Sequence, residues 1–110
     1  MNKLLISPEA LEDLKSIKKY ISGELCNEQA AQNVVSKIMK SIRTLERFPK
    51  TGTLLSSKAN IVTGYRFIVS GNYLTFYRIE DETVYISRVL YGRRDFNRIL
   101  FGESFFDEQQ

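Results

Sequence analysis

A chain of 110 residues builds one domain and leaves no room for a second independent core. Its 43% hydrophobic and 26% charged residues are ordinary globular proportions, which argues against a disordered chain or a coiled coil. The net charge of +3 conceals a split: residues 103–110 hold three acids and no base, so residues 1–102 carry 16 bases against 10 acids, a net of +6.

Lys3 to Ser7 is a short apolar run that leads into a helix start. Ser7 is a good N-cap, Pro8 suits the first helical position, and Glu9 favours the positive end of the helix dipole. Ala10, Leu14, Ile17, Ile21 and Leu25 then recur at spacings of three and four, with Lys15, Lys18 and Lys19 on the other side. This predicts the first helix. Asn27 with Glu28 behind it predicts the cap of a second, striped by Ala31, Val34, Val35, Ile38, Ile42 and Leu45 and ending before Phe48-Pro49. The connection through Leu25, Cys26 and Asn27 is so short that the two helices must form an antiparallel hairpin. Cys26 is expected to be a small packing residue at that turn, and Phe48 a core anchor where the second helix ends.

Pro49-Lys50-Thr51-Gly52 is turn chemistry, and the polar stretch to Asn60 reads as loop. Three strand-like runs follow: Tyr65 to Ser70, Tyr73 to Ile79 and Val84 to Tyr91. They are separated by Gly71-Asn72 and by Glu80-Asp81-Glu82, which predicts hairpin loops and an antiparallel meander. The first apolar run is expected at the edge of this sheet, and Asp95 to Leu100 as a short final helix. The expected fold is therefore α+β, in the order β-α-α-β-β-β, with a helical hairpin on one face of an antiparallel sheet. It occupies residues 1–110 as a single domain with an acidic tail, 103–110.

The chain has no histidine and a lone Cys26. An internal disulfide, a Cys/His zinc set, and serine-triad, cysteine–histidine or histidine-pair ribonuclease chemistry are excluded for the chain acting alone. No metal or cofactor is expected. No apolar run is long enough to span a membrane, and Ser7, Pro8 and Glu9 cut short what a secretory signal would need. The expected location is the cytoplasm.

The basic residues within 61–100 are all arginines: Arg66, Arg78, Arg88, Arg93, Arg94 and Arg98. A solvated basic surface is one reading of this charge, and since arginine offers a planar fork for phosphate or carboxylate, an anion-binding face is the other. Period two puts Leu74, Phe76 and Arg78 on one face of their strand, and Val84, Ile86, Arg88 and Leu90 on one face of theirs. Arg78 and Arg88 are expected to pair with Glu80, Glu82 or Asp95 at the strand ends. Tyr91, Arg93 and Arg94 are candidate functional residues, grouped around Gly92, where the backbone can turn sharply or approach a ligand closely.

Phe48-Pro49 with Gly52, Gly64-Tyr65-Arg66, Asn72-Tyr73-Leu74 with Tyr77-Arg78-Ile79, and above all Arg88 to Phe96 with its Tyr91-Gly92-Arg93-Arg94-Asp95, occur in an ordered series. In this order and spacing, over nearly all of residues 3–100, the chain resembles the RelE/ParE superfamily, the toxins of bacterial type II toxin–antitoxin modules. The resemblance implies a small basic growth inhibitor, neutralised by a cognate acidic antitoxin. RelE-like members cut messenger RNA in the ribosomal A site, whereas ParE-like members poison DNA gyrase. Fold alone does not choose between these.

RNA cleavage through the 2′-hydroxyl needs a base, a stabiliser of the pentacovalent phosphorane and an acid for the leaving oxygen. Arg66, Arg93 and Arg94 suit the second role, and Tyr91 the third. The first role is hard to fill, because arginine and tyrosine are poor bases at neutral pH; Lys58 is the remaining candidate. Compared with RelE-like sites that work without histidine, Leu74 stands where a basic residue is expected. Phe96, Ile99 and Leu100 occupy the stretch where a tyrosine is expected. The nuclease set is incomplete, which favours the ParE-like branch with DNA gyrase as target over a ribosome-dependent mRNA endoribonuclease; a toxin-like fold that only binds its antitoxin is the third reading. Finally, Phe105-Phe106, flanked by Glu103, Asp107 and Glu108, is expected to be ordered in part by docking on a face with apolar and Arg residues.

Overall fold

The computed structural model describes residues 2–56, 62–92 and 100. The expected helix from Asp95, the pair Arg93 and Arg94, Lys58 and the tail 103–110 lie outside the described residues.

The chain opens with β1 (Lys3–Ile6), which alternates exposed and half-buried residues so that Leu4 and Ile6 face the core. Helix α1 (Pro8–Lys19) starts as its sequence dictates: Ser7 Oγ accepts from the Ala10 N–H at 3.0 Å, with Pro8 in the first turn. The same hydroxyl donates to the Ser87 carbonyl at 2.8 Å, which ties the helix start to the sheet. The helix continues as a π-helical turn, Tyr20–Glu24, and stops where Cys26 takes φ +51°. Asn27 then caps α2 (Glu28–Thr44) by accepting from the Ala30 N–H at 2.9 Å. The hairpin connection is as tight as expected. Cys26 itself is exposed rather than packed, on a left-handed backbone at the turn, with its Sγ donating to the Gly23 carbonyl at 3.3 Å.

Phe48 also departs from expectation. Leu45 is 1% exposed and fills the core at the end of α2, whereas Phe48 is 60% exposed. A single 3-10 turn, Pro49–Thr51, follows and leads into β2 (Thr53–Ser56), in a stretch read from sequence as loop. A run of four residues, in which Leu55 is buried and Thr53 and Leu54 are exposed, carries little strand signal. Backbone pairing with β3 makes them a strand.

β3 (Val62–Ser70), β4 (Tyr73–Glu80) and β5 (Thr83–Tyr91) form the expected meander, with turns at Gly71-Asn72 and Asp81-Glu82. Gly71 at φ +59° supplies the left-handed backbone the tight turn needs. The sheet order is β1-β5-β4-β3-β2. β1 sits at an edge, as expected, but runs parallel to β5, so the sheet is mixed rather than wholly antiparallel. The parallel sense follows from the handover: β1 must deliver the chain into α1, which packs on β5.

Both helices cover one face, where Ala10, Leu14, Ile17, Ala31, Ile38 and Ile42 meet Tyr77, Val84, Ile86 and Val89. On the opposite face Leu55, Phe76 and Leu90 form a second, smaller cluster, flanked by Tyr65, Phe67, Leu74 and Leu100. A bulge in β5 opposite Phe76 and Tyr77 separates the two halves of that strand. Strict alternation puts Leu90 with Val84 and Ile86. The extra residue reverses the parity, so Val89 joins the helix-side core and Leu90 goes to the other cluster. Among the described residues no helix is long and apolar enough to cross a membrane.

Candidate functional site

Tyr91 ends β5 and lies directly across from Tyr73 at the start of β4. Their rings meet edge-on, with centroids 5.8 Å apart, and Tyr91 remains 40% exposed. Burial raises the Tyr73 hydroxyl above its ordinary pKa, and the neighbouring Tyr91 and Tyr20 hydroxyls push it further in the same direction. Both effects favour the neutral Tyr73 phenol. Just beyond, the Gly92 N–H donates to the Asn72 carbonyl at 2.8 Å. This pins the strand end to the β3–β4 turn. The chain therefore leaves the sheet toward Arg93 and Arg94 from a fixed point beside an exposed aromatic residue.

Arg66 is elsewhere. It lies on β3 opposite Tyr77, and its Nη1 donates to the carbonyls of Gly52 at 2.9 Å and Lys50 at 3.4 Å. Tyr91, by contrast, is opposite Tyr73 on β4. The offset from Arg66 is about 13 Å along the strands and about 10 Å across them at ordinary sheet spacings. An arginine side chain does not close that gap. Of the sequence candidates within the described residues, Arg66 and Tyr91 are not brought together.

What Arg66 does hold is a corner. Tyr77, fully buried, donates its hydroxyl to the Pro49 carbonyl at 2.7 Å and accepts from the Gly52 N–H at 2.8 Å. With Arg66 it straps the 3-10 turn to the sheet. Burial raises the Tyr77 pKa, partly offset by the Gly52 hydrogen bond and the Arg66 charge. The unfolded tyrosine ionises near pH 10. The unfolded chain therefore loses this proton first, and the stability contributed below pH ~10 is lost as pH rises beyond it. Denaturant melts between about pH 8 and 11 should show this alkaline decline, and Tyr77→Phe should make it shallower. An unchanged slope in that variant would assign the decline to other groups.

Two arginines expected to pair at strand ends behave differently. Arg78 does bond Glu80, and its guanidinium lies 4.5 Å from the centre of the Tyr85 ring. Arg88 instead reaches Asp13 on α1, a partner the sequence reading missed. Its Nε and Nη2 donate to the two carboxylate oxygens at 2.7 and 2.8 Å, and the Val89 N–H donates to the same carboxylate at 2.9 Å. The hydrogen bonds that Arg88 donates to the Asp13 carboxylate are what chiefly raise the Arg88 pKa. The signal was present: Asp13 is an acid beside Ala10 and Leu14 on the border of an otherwise apolar stripe.

Among the described residues no three His, Cys, Asp or Glu side chains are grouped to hold a metal ion. A groove of about 350 Å³ runs between α2 and β3, lined by Ser41, Thr44, Thr51, Thr53 and Val69 among others.

Comparison with known proteins agrees with this architecture. Residues 4–96 match the family model of the ParE toxin of type II toxin–antitoxin systems. No curated protein matches the chain significantly. Among solved structures, the chromosomal ParDE toxin–antitoxin system from P. aeruginosa aligns with a TM-score of 0.69 at 20% identity, covering 83% of this chain and 96% of that one. The toxin–antitoxin complex RelBE2 from Mycobacterium tuberculosis aligns with a TM-score of 0.61 at 21% identity, over 82% and 96% of the two chains. A YoeB/ParE toxin from Agrobacterium tumefaciens gives 0.55 at 17% identity, over 81% and 96%. At such identities these likenesses speak for the fold alone, and the family match carries the assignment. With a match over most of its length, the chain belongs to the ParE toxin family of type II toxin–antitoxin systems.

Proposed function

We propose that this toxin acts as a gyrase-directed binding inhibitor in the cytoplasm, held in check by a cognate acidic antitoxin. The observation that carries this reading is the separation of Arg66 from Tyr91. A ribonuclease needs its phosphate-binding and proton-transfer groups around one phosphate, within hydrogen-bond reach. Here Arg66 is committed to a structural corner and Tyr91 stands at the far end of the sheet. The two tyrosines whose hydroxyls are perturbed, Tyr73 and Tyr77, are both raised, away from what a base needs at neutral pH.

A binding inhibitor has no such requirement. It needs exposed anchors on a rigid support, and aromatic residues and arginines are the usual energetic centres of protein interfaces. Tyr91, exposed on its pinned strand end, meets that description, and Arg93 and Arg94 follow it in sequence. The net of +6 over residues 1–102 favours fast association with an acidic antitoxin and with other acidic surfaces.

Induction of the protein in cells, scored for DNA supercoiling and for mRNA integrity on ribosomes, separates the two targets. The expected result is filamentation, a DNA-damage response and lost supercoiling, with reporter mRNA intact. Tyr91→Ala combined with Arg93→Ala and Arg94→Ala should abolish this effect while leaving the fold stable. Cleavage within A-site codons by primer extension would overturn the proposal in favour of the nuclease. In that event Arg66→Ala and Arg94→Ala should each cost about 10² or more in rate.

A further inference from the structure

Strand β1 ends at Ile6, opposite Ile86, so beyond that point no strand among the described residues lies along the outer edge of β5. The bulge falls on the same stretch. Tyr77 faces Ile86 and Phe76 faces Arg88, which leaves Ser87 as the extra residue. A bulge takes backbone groups out of the ladder, and buried ones need other partners. The start of α1 supplies them. The Ser87 carbonyl accepts from the Ser7 hydroxyl at 2.8 Å, and the Val89 N–H donates to Asp13 Oδ2 at 2.9 Å. Arg88, between the two, grips the same carboxylate at 2.7 and 2.8 Å.

This clamp fixes the sense of the last residues of β5. With the extra residue in place, Val89 lies opposite Thr75, Leu90 opposite Leu74 and Tyr91 opposite Tyr73. Regular pairing from Ile86 onward would shift each by one place and reverse its face. Arg88 would then stand opposite Thr75, where Val89 is now 1% exposed in the helix-side core. Leu90 would face Tyr73, and Tyr91 would lie on the other side of the sheet. A guanidinium buried there without its carboxylate is costly, so Arg88 opposes the slip. Asp13 satisfies the bulge that takes its place.

We propose that Asp13, acting through Arg88 and the Val89 N–H, is the positioning residue for Tyr91. Helix α1 thereby sets the face of the sheet on which this tyrosine meets Tyr73 and is offered to a partner. The functional meaning of this control rests on the reading of Tyr91 as an anchor; the control of register does not.

Two full-length variants separate register from stability. Asp13→Asn loses the ion pair, but keeps an oxygen for the Val89 N–H and leaves Arg88 to oppose the slip. It is expected to melt below the parent and still show the Tyr73–Tyr91 ring contact in nuclear Overhauser spectra. Asp13→Leu with Arg88→Met is the converse. It regains stability over Asp13→Ala, yet it has neither the acceptor nor the charge, and a methionine is welcome opposite Thr75. Its Tyr73–Tyr91 contact is expected to vanish, with Leu90 methyl contacts to the Tyr73 ring in its place. A parental ring contact in the double variant, or its loss in Asp13→Asn, overturns the proposal. Induced in cells, the double variant should no longer arrest growth. If it shifts register and still arrests growth, the anchor role of Tyr91 fails while the control of register by Asp13 stands.

Discussion

Asp13→Ala is expected to destabilise the protein by about 3 kcal/mol, the lower end of what breaking a buried ion pair costs. The pair is partly screened, with Asp13 and Arg88 side chains 12% and 27% exposed, which is why the lower end applies. Three hydrogen bonds go at once: both arms of the Arg88 fork and the Val89 N–H. The last is the most costly to strand. Val89 is 1% exposed, and its amide sits beside the bulge in β5, where regular pairing is interrupted. For a chain this size the melting temperature should fall by roughly 10–20 °C. Asp13→Asn keeps an acceptor oxygen and should lose less. An apolar pair, Asp13→Leu with Arg88→Met, should recover part of the loss, because well-packed hydrophobic residues often replace a buried ion pair at no cost. A thermal melt within two or three degrees of the parent for Asp13→Ala would show that α1 is held to the sheet by its apolar stripe alone.

Gly52→Ala is the second change with a large expected effect. Gly52 has an extended backbone that any residue adopts, so its role is close approach rather than unusual conformation. A Cβ there would overlap the Tyr77 hydroxyl and stand 2.8 Å from the Phe67 carbonyl oxygen. The tyrosine is fully buried and the carbonyl belongs to β3, so neither yields cheaply. Overpacking of this kind costs about 1–3 kcal/mol, and displacing Tyr77 also forfeits its bonds to Gly52 and Pro49, at about 1 kcal/mol each. A loss of about 3 kcal/mol is expected in urea unfolding. Tyr77→Phe in the same background should not restore stability, since the Phe67 carbonyl remains in the way. If Gly52→Ala unfolds at the parental midpoint, the corner formed by Pro49, Gly52, Arg66 and Tyr77 is softer than its hydrogen bonds indicate.

These two sites mark where sequence reasoning stops. The helices were legible because their signals are local. Ser7-Pro8-Glu9 and Asn27-Glu28 are capping chemistry within one turn, and the stripes Ala10–Leu25 and Ala31–Leu45 have a helical period. The β-hairpin turns were legible for the same reason, since Gly71-Asn72 and Asp81-Glu82 fall between runs of strand formers. Family membership was legible from short motifs in a fixed order. The end of β5 at Tyr91 was also within reach, because it stands next to the Gly92-Arg93-Arg94 break.

What sequence reading could not supply depends on partners far along the chain. Arg88 looked as if it belonged to acids at the strand ends, but Asp13, 75 residues earlier, is the one α1 carries into reach. Strand β2 exists because β3 offers it backbone partners, and β1 runs parallel because α1 must pack on β5. The bulge opposite Phe76 and Tyr77 reverses the inward and outward sense of the rest of β5, which no period-two count anticipates. Local propensity and hydrophobic period determine which segments become helices and strands. Register, parity and the separation of Arg66 from Tyr91 are set when those segments compete for the same neighbours, and only the assembled sheet decides them.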